Sequence, residues 1–291
     1  MGFATAKDVW LAPMQREWPL FISFVTFWFC AQFVSGIILR RIIPGWKRFS
    51  KSDQRELKQR LCSALNGIIM FGSSVIFISN LYLLSFKLSE NLYQVVDFPI
   101  FAIYRVAIVA YFTWDVVVCF IDNWSWEWKI HGICSLIGVY CLWFPFADVY
   151  AGFYTGCYEM TNFFFHISIM LRMIASSNAE NPKIHLVCSR YADWFEYIFA
   201  FLFVLIRCVL STALTYVLVK IVLRNLYEDI LNQGTLGYVP RSHDELACVL
   251  STVGLCVIQC IQYFWLLEII KRVFKMFSAS GEHNKNVTKQ I

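Results

Sequence analysis

Apolar residues in this chain run in long blocks, with neither the alternation of a half-buried strand nor the narrow stripe of a soluble amphipathic helix. Seven blocks stand out: residues 20–43, 61–84, 98–121, 130–146, 150–174, 195–223 and 246–270. Each is close to the ~20 residues a helix needs to cross about 30 Å of hydrocarbon. Pro44-Gly45, Ser89-Glu90-Asn91, Pro145 with Asp148, residues 176–182 and the polar segment 227–245 separate them, and Pro and Gly are the strongest local breakers. The pattern predicts an all-α, multi-pass transmembrane bundle of about seven spans. The tail from Ser278 is polar and reads as disordered.

Composition supports the bilayer as solvent. Of 291 residues, 58% are hydrophobic and 15% charged, against roughly a quarter charged in soluble domains. The first apolar block ends in Arg40 and Arg41 and is too long for a cleaved signal, so it reads as a span that stays. The net charge of +5 is unevenly placed. Lys47, Arg48, Lys51, Arg55, Lys58 and Arg60 follow the first block, and Lys129, Lys183, Arg190, Lys271, Arg272 and Lys275 fall on the same side when seven spans are threaded. The positive-inside rule then places the C-terminus in the cytosol. These basic runs flank spans, as positive-inside loops do, and give no reason to invoke nucleic acid. Asn123-Trp124-Ser125 and Asn286-Val287-Thr288 are sequons on that side.

Ionisable residues within the spans carry the chemistry, because a charge in hydrocarbon is costly unless paired or hydrated. Asp115 lies in the third block, His131 at the start of the fourth, Arg207 in the sixth and Glu268 in the seventh. Glu159, Asn162 and His166 in the fifth are three and four residues apart, hence on one helix face. Three readings fit that face: a structural network orienting the helices, a cavity that handles substrate or protons, and, for Arg172 and Glu268, snorkelling to the interface. His131 suits a general base, and equally a hydrogen bond to Asp115 across two helices. Five scattered histidines without a close Cys/His cluster give no metal site, and no Walker, dinucleotide or nucleophile-elbow motif is present. The 11 cysteines, mostly inside apolar blocks with no C-x-x-C pair, read as small buried side chains.

Taken in order, Tyr111-Phe112-x-x-Asp115, Trp126-Glu127-x-x-x-His131, Glu159-x-Thr161-Asn162, Arg172, Phe203-x-x-x-Arg207 and Gln262-x-Phe264-Trp265 resemble the TLC domain. That family includes ceramide synthases, translocation-associated membrane proteins, a cargo receptor linked to neuronal ceroid lipofuscinosis, and small TLC-domain proteins tied to membrane lipid composition. The fifth block, Glu159-Met160-Thr161-Asn162-Phe163 through Leu171-Arg172-Met173, is most similar to the small proteins. The resemblance divides the chain into an N-terminal segment with the first span and basic linker (1–56), a TLC-like transmembrane domain (57–275) and a polar tail (276–291).

The resemblance implies an endoplasmic-reticulum or other endomembrane protein that binds or handles acyl lipids and influences sphingolipid or phospholipid composition. Its partners would be membrane lipids, with a homo-oligomer or larger membrane complex also open. Tyr111, Trp126, Glu159, Asn162 and Arg207 would then bind substrate. Two alternatives are a ceramide-synthase-type acyltransferase, with Asp115, His131 and His166 as working groups and acyl-CoA as co-substrate, and a non-catalytic scaffold or cargo receptor. No other cofactor is implied. Two departures matter: ceramide synthases carry adjacent histidines where this chain has His131-Gly132, and the family often has a histidine in the second span where Asn66 stands.

Overall fold

A computed structural model describes residues 11–83, 99–143, 151–232 and 245–288. The described chain is helical: α1 Ala12–Arg16, α2 Trp18–Ile42, α3 Lys51–Leu83, α4 Pro99–Ile121, α5 Trp126–Trp143, α6 Tyr158–Ser177, α7 Pro182–Leu202, α8 Ser211–Asn232 and α9 Glu245–Thr288. Two π-helical stretches interrupt it. Phe153–Cys157 leads into α6, and Phe203–Leu210 joins α7 to α8 as one continuous rod. Seven long rods result among the described residues, one for each apolar block. Four are long and apolar enough by themselves to cross a membrane: Trp18–Ile42, Ile103–Ile121, Pro182–Arg224 and Val249–Lys271. α3, α5 and α6 are more polar, and several of their polar side chains, among them Asn66, Ser135 and Glu159, are buried within the bundle.

Helix boundaries depart from the sequence reading in three places. The basic linker after residue 50 is the first turns of α3, because Leu57 and Leu61 turn an apolar edge toward Trp46, Phe49 and Met170 while Lys51 and Arg55 stay exposed. The sixth rod begins at Pro182, where Asn181 caps it by accepting a bond from the Ile184 amide, a standard start signal. Finally, α9 continues past Ser278 to Thr288, where the sequence suggests a disordered tail. The break between the fourth and fifth spans lies outside the described residues.

The rods close into a ring. α3 packs on α6, α6 on α7, the π segment and α8 on α9, α9 on α5, and α5 on α4. α4 meets α3 less closely, and α2 fills the groove outside them. Trp28 of α2 packs edge-on against Tyr111 and beside Trp114, whose indole donates to Gln32 Oε1 at 3.3 Å. Glycines set the tightest crossing. A Cβ on Gly67 would lie 2.7 Å from the Glu159 carbonyl, and one on Gly156 would lie 2.6 Å from the Ser74 amide. Small residues let membrane helices approach this closely. The outer faces carry Phe33, Ile42, Val209, Tyr216 and Leu267, all exposed, as lipid-facing surfaces are.

The ends of α2, α4, α6 and α9 meet the starts of α3, α5 and α7 at one end of the bundle, which also holds the basic residues 40–60. Ile43, Trp46 and Phe49 close it against Leu57 and Met170. Asn178 ties the 43–50 turn to α6, donating to the Pro44 and Ile174 carbonyls at 3.1 and 2.9 Å. Gly45 there has φ +74°, a left-handed conformation that favours glycine. The positive-inside expectation that this end is cytosolic predicts that the exposed Asn123 carries no glycan when the protein is expressed in eukaryotic cells. A glycosidase-sensitive mass shift that disappears in Asn123→Gln would reverse the orientation.

Candidate functional site

The ring encloses a cavity of about 520 Å³, within the range of roughly 300–1,000 Å³ for small-molecule sites. All six ring rods line it. Its depth, around Leu142, Val139, Leu255 and Tyr154, is apolar and aromatic, and its broad end, around Trp124, Arg172, Glu196 and Glu268, lies toward the basic end of the bundle.

A continuous polar chain crosses one wall. Arg207, 4% exposed, donates from Nε to Thr161 Oγ1 at 2.8 Å, from Nη2 to the Tyr158 carbonyl and Asn162 Oδ1, both at 2.6 Å, and from Nη1 to Gln262 Oε1 at 3.4 Å. Asn162 turns its amide to Glu159 Oε1 at 3.2 Å, and Asn66 donates to Glu159 Oε2 at 2.8 Å. Donation thus runs from Arg207 through Asn162 to Glu159, which also accepts from Asn66 on its other oxygen, so both buried charged side chains are hydrogen-bonded. The π segment contributes as well. The Arg207 carbonyl within it accepts from Gln259 Nε2 at 3.0 Å, and Gln259 Oε1 accepts from Ser211 at 2.6 Å and Tyr158 at 3.4 Å. π bulges often mark functional sites.

The opposite wall is less committed. Asp115 Oδ1 accepts from Gln59 Nε2 at 3.0 Å. His131 packs its ring against Trp265 and Trp128, with centroids at 5.7 and 6.3 Å, and makes no hydrogen bond to any described residue. The expected His131–Asp115 bond is thus replaced by Gln59–Asp115, although both side chains line the cavity. His166 lies nearer α3. Arg60 Nη1 sits 3.4 Å from its Nδ1 while Arg60 Nη2 pairs with Glu56 at 2.6 Å. Arginine only donates, so Nδ1 accepts and the ring proton belongs on Nε2. Tyr111 is buried and donates to Ser63 Oγ at 3.0 Å.

Of the residues singled out from sequence, Tyr111, Asp115, His131, Glu159, Asn162, His166 and Arg207 all line the one cavity. Trp126 does not. It is 67% exposed on the outer face of α5, with Lys129 Nζ 4.9 Å over its ring. Trp124, in the turn before α5, and Trp128, two residues along the helix from Trp126 and so on its other side, line the cavity in its place. The sequence reading did not single out Gln59, Tyr158 or Gln259 as site residues. Their only signal was a polar side chain inside a membrane rod. Among the described residues no three His, Cys, Asp or Glu side chains cluster closely enough to share a metal ion, and the ten described cysteines are free thiols.

A family model described as the TLC domain matches residues 56–271. The chain belongs to the TLC-domain family. No curated protein matches it significantly. The matched region of the TLC domain begins just inside α3 and ends in α9, so it takes in every rod of the ring and leaves out α2.

Proposed function

We propose that this TLC-domain protein binds acyl lipids within the ring and thereby influences the sphingolipid or phospholipid composition of an endomembrane, most simply the endoplasmic reticulum, with its basic end and C-terminus in the cytosol. The observation that carries the reading is the cavity itself. It joins an apolar, aromatic depth suited to a hydrocarbon chain to polar side chains on both walls, Asp115, His131 and Glu159, suited to a headgroup. Pockets that are mostly apolar with a few convergent polar groups are the usual form of a ligand site.

The test is mass spectrometry of lipids retained by protein purified into nanodiscs of defined composition. The expected result is enrichment of one acyl-lipid class over the surrounding disc, lost when Val139→Trp fills the depth of the cavity. Equal lipid profiles for the two proteins would defeat the reading and favour a scaffold or membrane-complex subunit.

One observation favours a second reading, N-acyl transfer from acyl-CoA. His131 faces the cavity with no hydrogen bond to described residues and is available to a reacting proton.

A further inference from the structure

We propose that lipid reaches the cavity sideways, from the leaflet at the basic end of the bundle, through a slot between α7 and α9. This rests on the lipid-binding reading. The α7–π–α8 rod touches α9 along the π segment and α8, but α7 itself is joined to α9 chiefly through side chains. Phe199 and Phe203 meet Trp265, Leu266 and Ile269 there. Around that stack the cavity wall includes Tyr197 and Ala200 from α7 and Phe264 and Glu268 from α9. Tyr197 is 50% exposed and Phe264 63% exposed. Cavity-lining side chains this exposed, standing between two rods, fit a lateral opening.

The rims of the slot fit an amphipathic occupant. On the α7 side Arg172 pairs with Asp193 at 2.7 Å and Glu196 at 2.6 Å, and on the α9 side Glu268 pairs with Lys271 at 2.7 Å. These charges stand at the end of each rod that carries the bundle's basic residues, where headgroups lie. Tyr197 and Phe264 flank the slot on either side of the aromatic stack. A lipid can therefore leave its headgroup among the charged rims while its chain slides between aromatic edges, with no charge crossing hydrocarbon.

The experiment measures the rate at which a pyrene-labelled fatty acyl lipid passes from donor vesicles to the protein in nanodiscs, read by tryptophan-to-pyrene energy transfer. Ala200→Trp narrows the slot and should slow uptake about tenfold or more, as obstruction of an access step does. Phe264→Ala widens it and should speed uptake. Tyr216→Ala, exposed on α8 and outside the cavity, should match the natural protein. If the natural protein binds the probe and both slot variants take it up at the natural rate, the slot is not the route. Failure of the natural protein to bind any acyl probe would instead overturn the lipid-binding reading beneath it.

Discussion

Arg207→Met will leave little folded protein, and adding Glu159→Gln will recover much of it. The arginine supplies hydrogen bonds to Thr161, Tyr158, Asn162 and Gln262 and is the cation that balances Glu159. Removing one partner of a buried charge pair typically costs about 3–5 kcal/mol, because the remaining charge stays buried without compensation. Asn162 would keep its bond to Glu159 but lose its own donor, and the Tyr158 carbonyl would lose its contact with the guanidinium. Glu159→Gln removes the stranded charge and can still hydrogen-bond to Asn66 and Asn162. The double variant should therefore be less damaged than the sum of the single ones, with a coupling of about 1–3 kcal/mol. The measurement is the midpoint of thermal unfolding in detergent, followed by size-exclusion fluorescence. Additive losses would show that the two charges do not stabilise one another, and that the polar wall is held by packing alone.

That wall shows what a sequence of this kind discloses. Helical geometry puts Glu159, Asn162 and His166 on one face, and the cost of buried charge turns that face inward, so their shared cavity was legible. Their partners were not. Asn66 lies 93 residues from Glu159 and Gln262 lies 55 from Arg207, and both pairings depend on which rods become neighbours, which hydropathy does not encode. The π segment was hidden for a different reason. Phe203–Leu210 is apolar apart from Arg207, and nothing in its composition separates π from α geometry. Trp126 misled because it belongs to a run of three alternate tryptophans. Only two of the three face inward, and the phase of α5 was not fixed by its weakly polar sequence. The start of α3 was obscured by its charges, which suit a loop as well as the exposed face of an amphipathic turn.

Purified protein given a long-chain base and a series of acyl-CoAs will show little or no ceramide formation, and the reason lies in Gly132. N-acyl transfer joins the amine nitrogen to the thioester carbonyl carbon and breaks the carbon–sulfur bond. The amine gives up a proton, and the departing thiolate takes one. His131 alone would have to accept the amine proton and then hand it to the thiolate, with no second imidazole beside it to share the two tasks. Gly132 is buried where α5 crosses α4, and a Cβ there would lie 3.1 Å from Val116 Cγ2 and 3.5 Å from Asp115 Oδ2. The vacancy is therefore also a packing contact, and Gly132→His alone will crowd Val116. Pairing it with Val116→Ala makes room and places a new imidazole beside Asp115. A positioned acid or base contributes about 10²–10⁴-fold, so the Val116→Ala/Gly132→His protein should gain product measurable by mass spectrometry, and a further His131→Ala should remove it. Robust turnover by the natural protein, abolished by His131→Ala, would overturn the expectation and make the acyltransferase reading the primary one. Turnover indifferent to His131→Ala would come from a contaminating enzyme and leave lipid binding as the role of the cavity.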